Sequence, residues 1–238
     1  MPTLGIIGSG NIGAAVARLA VAAGIPVVVA NSRGPESLTG LIAELGPLAT
    51  AGTVEQAARA GDLVLLSVPL TAHTAIPAGL LDDTIVLDTS NYYPYRDGRI
   101  AELDQDKITT SELVHRHFRG ARLVKAFNNI LAHHIPQLAR PAGAADRTAL
   151  PIAGDDAAAK SAAATLIDQL GYDTVDAGPL AQSWRFEPEA AAYTRLYLAD
   201  PATPGEQMMQ APAGPVAAAG LRRALDAAER VHVAGRAF

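Results

Sequence analysis

The chain has 238 residues, a formal net charge of -5 and no cysteine. Its 19 Lys and Arg residues are dispersed without a run, so the sequence shows no electrostatic footprint for a nucleic-acid partner. The absence of cysteine excludes disulfides, thiolate metal sites, iron–sulfur clusters and a cysteine nucleophile.

An apolar stretch at residues 12–30 contains Arg18, Gly24 and Pro26, whereas a membrane span needs about 20 continuously apolar residues. The N-terminus lacks the basic region of a secretory signal, and neither end carries a lipidation motif. We therefore expect a cytoplasmic protein without a membrane partner.

Short apolar runs alternate with helical stretches along most of the chain. This βαβ cadence predicts an α/β fold with a doubly wound, mostly parallel Rossmann sheet. The runs do not alternate strictly between apolar and polar residues, which is typical of strands covered by helices on both faces. The predicted strands are residues 4–7, 27–30, 63–68, 84–87, 123–127, 149–153 and 173–175.

A glycine-rich hexapeptide follows the first predicted strand and opens an apolar helix, which is the context that the dinucleotide fingerprint requires. Gly8 permits the tight turn, Gly10 lets the backbone approach a pyrophosphate, and Gly13 lets the helix pack closely on the strand. The helix N-terminus favours bound phosphate. We expect the whole hexapeptide to contact the cofactor: Gly8, Ser9, Gly10, Asn11, Ile12 and Gly13.

The second predicted strand ends in Asn31, Ser32 and Arg33, where an NAD-selective site would present an Asp or Glu to the ribose 2'-hydroxyl. A carboxylate would repel a 2'-phosphate, whereas a hydroxyl and a guanidinium can donate hydrogen bonds to it. This pattern predicts NADP(H) rather than NAD(H).

The ends of the later strands should complete the site, because ligands of open α/β sheets lie beyond the carboxyl ends of the strands. We expect the nicotinamide half of the cofactor to contact Ser67, Val68, Pro69, Asn91 and Ala126. For Asn91, ordinary strand-end turn chemistry is an equally good reading. We expect Asn128 to bind the substrate through a ring carbonyl, although it could instead cap a helix.

Three histidines near these strand ends, His73, His133 and His134, have no carboxylate at metal-ligand spacing. We therefore expect solvated or capping roles for them and no metal site. Transfer of a hydride between two rings needs little beyond orientation and exclusion of water, so the sequence does not single out a catalytic acid or base.

After residue 180 the texture changes, and we expect a small helical appendage with helices near residues 190–198 and 216–230, joined by a loop at 200–215. We divide the chain into an NADP-binding Rossmann domain, 1–180, and an acceptor-site and dimerisation segment, 181–238. The segment is too short for its own core, so we expect its large side chains to pack on a second copy: Trp184, Phe186, Tyr193, Tyr197, Met208 and Met209.

Several motifs together resemble the coenzyme F420-dependent NADP oxidoreductase family. They are GSGNIG at residues 8–13, NSR at 31–33, LLSVP at 65–69, VKAFN at 124–128, AGDD at 153–156 and DAGPL at 176–180. The resemblance implies a homodimer in which Ser9, Ser32 and Arg33 hold the 2'-phosphate. It also implies hydride transfer between the nicotinamide and a stacked deazaflavin, coenzyme F420, and a flavin could occupy the same cleft.

Two other functions stay open at this point. One is an NADPH-dependent imine or carbonyl reductase, although such enzymes usually devote a larger helical domain to the substrate. The other is a non-enzymatic module that senses NADP(H). The small molecule that accepts the hydride distinguishes these readings.

Overall fold

The computed structural model describes residues 3–61 and 63–235 and contains one eight-stranded sheet. The strands lie in the order β3-β2-β1-β4-β5-β6-β7-β8, which confirms the predicted Rossmann architecture. Their bounds are β1 Leu4–Ile7, β2 Val27–Ala30, β3 Ala49–Ala51, β4 Leu63–Leu66, β5 Ile85–Asp88, β6 Arg122–Lys125, β7 Ala149–Gly154 and β8 Asp173–Asp176.

The sheet is parallel from β3 through β6, and β7 then pairs antiparallel with β6. β8 pairs parallel with β7. The strands β1, β5 and β7 are buried at every residue, as expected for strands covered on both faces. The carboxyl ends of β1, β2, β4, β5 and β6 therefore meet at one edge.

Helices cover both faces of this sheet, and two of them begin with the capping boxes that the sequence encodes. Thr53 pairs with Gln56, and Thr109 pairs with Glu112. The α-helices are α1 Asn11–Ala22, α2 Thr39–Leu45, α3 Val54–Ala58, α4 Pro94–Asp97, α5 Ala101–Asp104, α6 Thr110–His117, α7 His134–Leu138, α8 Ala157–Gln169 and α9 Ala218–Asp226. Within residues 3–61 and 63–235, no helix combines the length and the apolar character of a membrane span.

The expected helix at residues 190–198 is wrong, since this stretch holds only a 3₁₀ turn at Thr194–Tyr197. Glu189, just before it, has a left-handed backbone with φ 71. The chain then forms consecutive turns. The Tyr193 N–H donates to the Ala190 carbonyl, and the Leu196 N–H donates to the Tyr193 carbonyl. Burial of Tyr197 against the sheet outweighs the local helix propensity of the alanines.

The C-terminal segment packs on the same apolar core as the sheet. Phe186, Tyr197, Leu221 and Leu225 all belong to that core, and the Tyr197 hydroxyl donates to the carbonyl of Ala149 in β7 at 3.1 Å. The expectation that Phe186 and Tyr197 pack on a second copy is therefore wrong. A dimer stays a prediction, and the burial of these two side chains no longer supports it.

A buried ionic network joins the sheet to the C-terminal segment. The Lys125 ammonium at the end of β6 is fully buried; it donates to the Ser90 carbonyl at 2.8 Å and to the Ser111 hydroxyl at 3.0 Å. Ser111 donates to the Asp88 carboxylate at 2.6 Å, and a Glu187 carboxylate oxygen lies 3.6 Å from the ammonium. The network thus connects β5, β6, α6 and the C-terminal segment.

We expect Lys125→Ala to lower the free energy of unfolding by about 3–5 kcal/mol, because it leaves the buried Glu187 carboxylate without its ammonium partner and removes the hydrogen bonds to Ser90 and Ser111. Urea unfolding followed by circular dichroism measures this loss. Lys107→Ala, which removes an exposed ammonium, is the matched control and should unfold like the unmodified protein. If Lys125→Ala lowered the free energy of unfolding no more than Lys107→Ala does, the assigned role of the network would be contradicted.

Candidate functional site

Two of the fingerprint glycines are required by contacts within the protein. Gly8 has φ 110, and a Cβ there would lie 2.0 Å from the Ser67 carbonyl oxygen. A Cβ on Gly13 would lie 1.9 Å from the carbonyl oxygen of Gly8. These approaches bring the start of α1 against the carboxyl ends of β1 and β4.

Gly10 has a different environment, because a Cβ built on it would meet nothing within 4 Å. Its backbone is extended, with φ -71 and ψ -169, and α1 has neither a side-chain cap nor an acidic residue in its first turn. A 12-residue helix with an uncapped N-terminus attracts an anion. The space at Gly10 and the bare helix end fit a pyrophosphate.

Asn31 connects the fingerprint turn to the loop after β2. Its amide nitrogen donates to Ser9 Oγ and to Ser37 Oγ, each at 3.0 Å, while its oxygen accepts from the backbone N–H of Arg33 at 2.9 Å. Ser32 and Arg33 are exposed, and the Arg33 guanidinium has no ion pair within the described part of the chain. The loop therefore presents a cation beside the fingerprint. No local pattern in the sequence predicts that Ser37 takes part in this loop.

A cleft of about 960 Å³ runs from the start of α1 across the ends of β4, β5 and β6 to the C-terminal segment. Eight of the residues expected to bind the cofactor or the substrate line it: Gly10, Asn11, Ile12, Ser67, Val68, Pro69, Asn91 and Asn128. Six others form the turn and loop beside it: Gly8, Ser9, Gly13, Asn31, Ser32 and Arg33. Ala126 is fully buried and is not among the residues that line this cleft, so its expected contact with the cofactor stays a prediction without support from the cleft lining.

The rest of the cleft wall comes from residues to which sequence reasoning gave no individual role in the cleft, although it assigned the segment 181–238 to the acceptor site. Five of them lie at the ends of β5 and β6: Thr89, Phe127, Ile130, Leu131 and Ala132. Tyr93, Tyr95 and Arg96 follow Asn91 directly, and the C-terminal segment adds residues of two turns. The run of aromatic residues after Asn91 was the available signal. The residues of the C-terminal segment are Glu189, Ala190, Tyr193, Thr194, Arg195, Gly205, Met208 and Met209.

Asn128 is 4 % exposed, and its amide nitrogen donates to Asn91 Oδ1 at 3.1 Å and to the Phe186 carbonyl at 2.9 Å. Its own Oδ1 is buried. Both amide hydrogens are thus used within the protein, and the expected contact of Asn128 with a ring carbonyl of a substrate stays a prediction. Asn128 ties the end of β6 to Asn91 and to the C-terminal segment.

Two tyrosine hydroxyls meet in the cleft wall. The hydroxyl oxygens of Tyr93 and Tyr193 are 2.6 Å apart, and the Asn91 amide nitrogen lies 3.4 Å from the first and 3.3 Å from the second. The guanidinium carbon of Arg96 lies 4.8 Å from the centroid of the Tyr93 ring. Burial raises the pKa of Tyr93, so this hydroxyl keeps its proton at neutral pH.

His73 and His134 are buried, so of the two expected roles, solvated or capping, the solvated one is wrong for both. Each ring hydrogen-bonds to a backbone carbonyl, that of Leu70 for His73 and that of Ala211 for His134. Burial lowers the pKa of both imidazoles. His133 is partly buried and contacts the same Ala211 carbonyl.

The fold and the fingerprint geometry define a dinucleotide-binding oxidoreductase of the Rossmann class. Residues 3–92 match the family model described as NADP oxidoreductase, coenzyme F420-dependent. A hypothetical protein from Sinorhizobium meliloti, SMa0349, is 32% identical and superimposes with a TM-score of 0.68; the match covers 80% of this chain and 92% of that one. The chain belongs to the coenzyme F420-dependent NADP oxidoreductase family.

Two further relatives share parts of this pattern. A proposed F420-dependent NADP reductase from Arthrobacter sp. FB24 has the same fold, with a TM-score of 0.64, 24% identity and coverage of 77% of this chain and 87% of that one. The rat protein Metalloreductase STEAP3 is 29% identical over 190 residues, which are 78% of this chain. The match spans only 36% of the length of STEAP3.

A methyl group added at Gly10 or at Gly13 separates the role of the fingerprint in the fold from its expected role in binding the cofactor. We expect Gly13→Ala to lower the free energy of unfolding, because its clash with the Gly8 carbonyl outweighs the gain of about 1 kcal/mol in helix propensity. We expect Gly10→Ala to change that free energy by less than about 1 kcal/mol, while weakening NADPH and NADH alike. Urea unfolding measures the first effect and calorimetric titration measures the second. Unchanged affinity of Gly10→Ala for both dinucleotides would contradict a pyrophosphate site at Gly10.

Proposed function

We propose that this chain transfers hydride between NADP(H) and a flat tricyclic ring, with coenzyme F420 as the first candidate and FMN or FAD as the next. The observation that carries the proposal is the cleft of about 960 Å³, which continues past the strand ends into an apolar wall. This volume lies at the upper end of the range for small-molecule sites, so it suits a nicotinamide and a second ring together. Family membership supports the same reading.

The cofactor would be held by three groups of residues in this arrangement. The fingerprint amides and the Gly10 space receive the pyrophosphate, and Ser9, Ser32 and Arg33 receive the 2'-phosphate. Ser67, Val68, Pro69 and Asn91 border the nicotinamide. When bound, the reduced nicotinamide supplies the hydride. The protein orients the two rings and excludes water from them.

The acceptor would pack against the mouth of the cleft, where apolar surface is unusually exposed. Tyr95 is 73% exposed and Met209 is 63% exposed, and both line the cleft. Exposed apolar patches that border a groove mark binding surfaces. Methionine adapts to flat partners and makes favourable sulfur–aromatic contacts, so a tricyclic ring would cover this surface.

Reduction of a cyclic imine or a carbonyl is the second candidate function. The Tyr93 and Tyr193 hydroxyls favour it, because a substrate of that kind needs a proton donor beside the hydride. The larger helical domain that such reductases usually devote to the substrate is replaced here by the short C-terminal segment.

Arg33→Ala should weaken NADPH far more than NADH. A charge-assisted hydrogen bond to the 2'-phosphate contributes about 1.5–3 kcal/mol, which is roughly ten- to hundredfold in affinity. Calorimetric titration with both dinucleotides measures the difference. Arg222→Ala, on the exposed surface of α9, is the matched control. Equal losses for the two dinucleotides would remove Arg33 from the 2'-phosphate site.

Anaerobic oxidation of NADPH should proceed with coenzyme F420, or with FMN or FAD, because the cleft admits two stacked rings. The double variant Met208→Ala, Met209→Ala should raise the KM for the ring acceptor and leave NADPH affinity unchanged. Absorbance of NADPH follows the reaction. Turnover with a cyclic imine or carbonyl but with no ring acceptor would establish the second candidate, and NADPH binding without any turnover would indicate a sensing module.

A further inference from the structure

We propose that the hydroxyl pair of Tyr93 and Tyr193, held by Asn91, donates the proton that accompanies hydride transfer. This inference rests on the proposed oxidoreductase function and assigns a catalytic acid to it. The two side chains come from distant parts of the chain, one after β5 and one in the C-terminal segment. Both line the same cleft as Val68 and Pro69, which border the expected nicotinamide position.

The geometry suits a proton donor. The two hydroxyl oxygens lie 2.6 Å apart, so one hydroxyl donates to the other. A hydroxyl that accepts a hydrogen bond is polarised and becomes a better donor itself. The pair is therefore a more effective acid than either phenol alone.

The surroundings stabilise the phenolate that donation would leave. The Asn91 amide nitrogen is within 3.4 Å of both hydroxyl oxygens, and the Arg96 guanidinium lies over the Tyr93 ring. Asn91 is itself fixed, since its amide nitrogen lies 2.7 Å from the Asn128 carbonyl oxygen and its Oδ1 accepts from the Asn128 amide. The donor is thus held before any substrate arrives, as preorganised catalysis requires.

The reaction balances with one proton from the pair. NADPH gives up a hydride and becomes NADP⁺, while the acceptor takes the hydride at a ring carbon of a deazaflavin or at the central ring nitrogen of a flavin, and takes one proton at a conjugated nitrogen or oxygen. The tyrosine that donates this proton becomes a phenolate. It regains a proton from the neighbouring hydroxyl, which is then reprotonated from water at the mouth of the cleft.

The test compares Tyr93→Phe, Tyr193→Phe and the double variant, each of which keeps the ring and removes only a hydroxyl. We expect a fall of about 10- to 100-fold in the single-turnover rate of acceptor reduction for each single variant, within the range for loss of a general acid. Because the hydroxyls act as a unit, the double variant should be about as slow as the slower single variant. Tyr172→Phe, which removes a buried hydroxyl outside the cleft, is the matched control and should keep the full rate.

Two further measurements separate proton donation from a structural role. Calorimetric titration should give unchanged affinities for NADPH and for the acceptor. The rate of the unmodified protein should be level around neutral pH, whereas the double variant must take its proton from solvent and should speed up as pH falls. The other titratable groups that line the cleft, Tyr95, Arg96, Glu189 and Arg195, are present in every variant and cancel in this comparison.

The outcomes distinguish the inference from the function on which it rests. If the unmodified protein reduces no acceptor, both the proposed function and the proton donor are overturned. If it reduces an acceptor and the double variant does so at the same rate, only the proton donor is overturned. Slower reduction that follows weaker acceptor binding, or effects of the two substitutions that multiply, would also overturn it, because either shows a packing role.

Discussion

The buried ammonium of Lys125 is the interaction on which the geometry of the cleft depends. It holds the Ser90 carbonyl, which immediately precedes Asn91, and it lies beside Glu187 in the C-terminal segment. Asn91 in turn contacts Asn128 and the two tyrosine hydroxyls. A continuous series of polar contacts therefore runs from the core of the sheet to the wall of the cleft. The buried ammonium and the two amide nitrogens of the series all have hydrogen-bond acceptors, as burial in a low dielectric requires.

Sequence reasoning succeeded wherever the determinants are local. The fingerprint and most strands follow from short-range patterns, since turn chemistry and burial on both faces leave a record over a few residues. β3 was missed because it has only three residues, at the edge of the sheet. The helix expected at residues 190–198 failed because contacts of Tyr197 with β7, 48 residues away, decide the local backbone.

The candidate site divides in the same way. The predicted strand ends identified the half of the cleft next to the fingerprint, because the topology of the sheet alone brings those ends to one edge. The other half depends on pairings that no local pattern encodes, such as the Tyr93–Tyr193 contact across 100 residues. Asn128 was placed on the correct edge, but only the folded chain shows that its amide hydrogens bind Asn91 and the Phe186 carbonyl.

The C-terminal segment has two parts that differ in mutational tolerance. Phe186 and Tyr197 are fully buried in the main core, so substitutions there would destabilise the whole molecule. The turn at Gly205–Gln210 has no buried residue, although Gly205, Met208 and Met209 line the cleft. Within one short stretch of chain, the residues that line the cleft are thus separated from the residues that maintain the fold. This separation lets the lining of the cleft be changed at little thermodynamic expense.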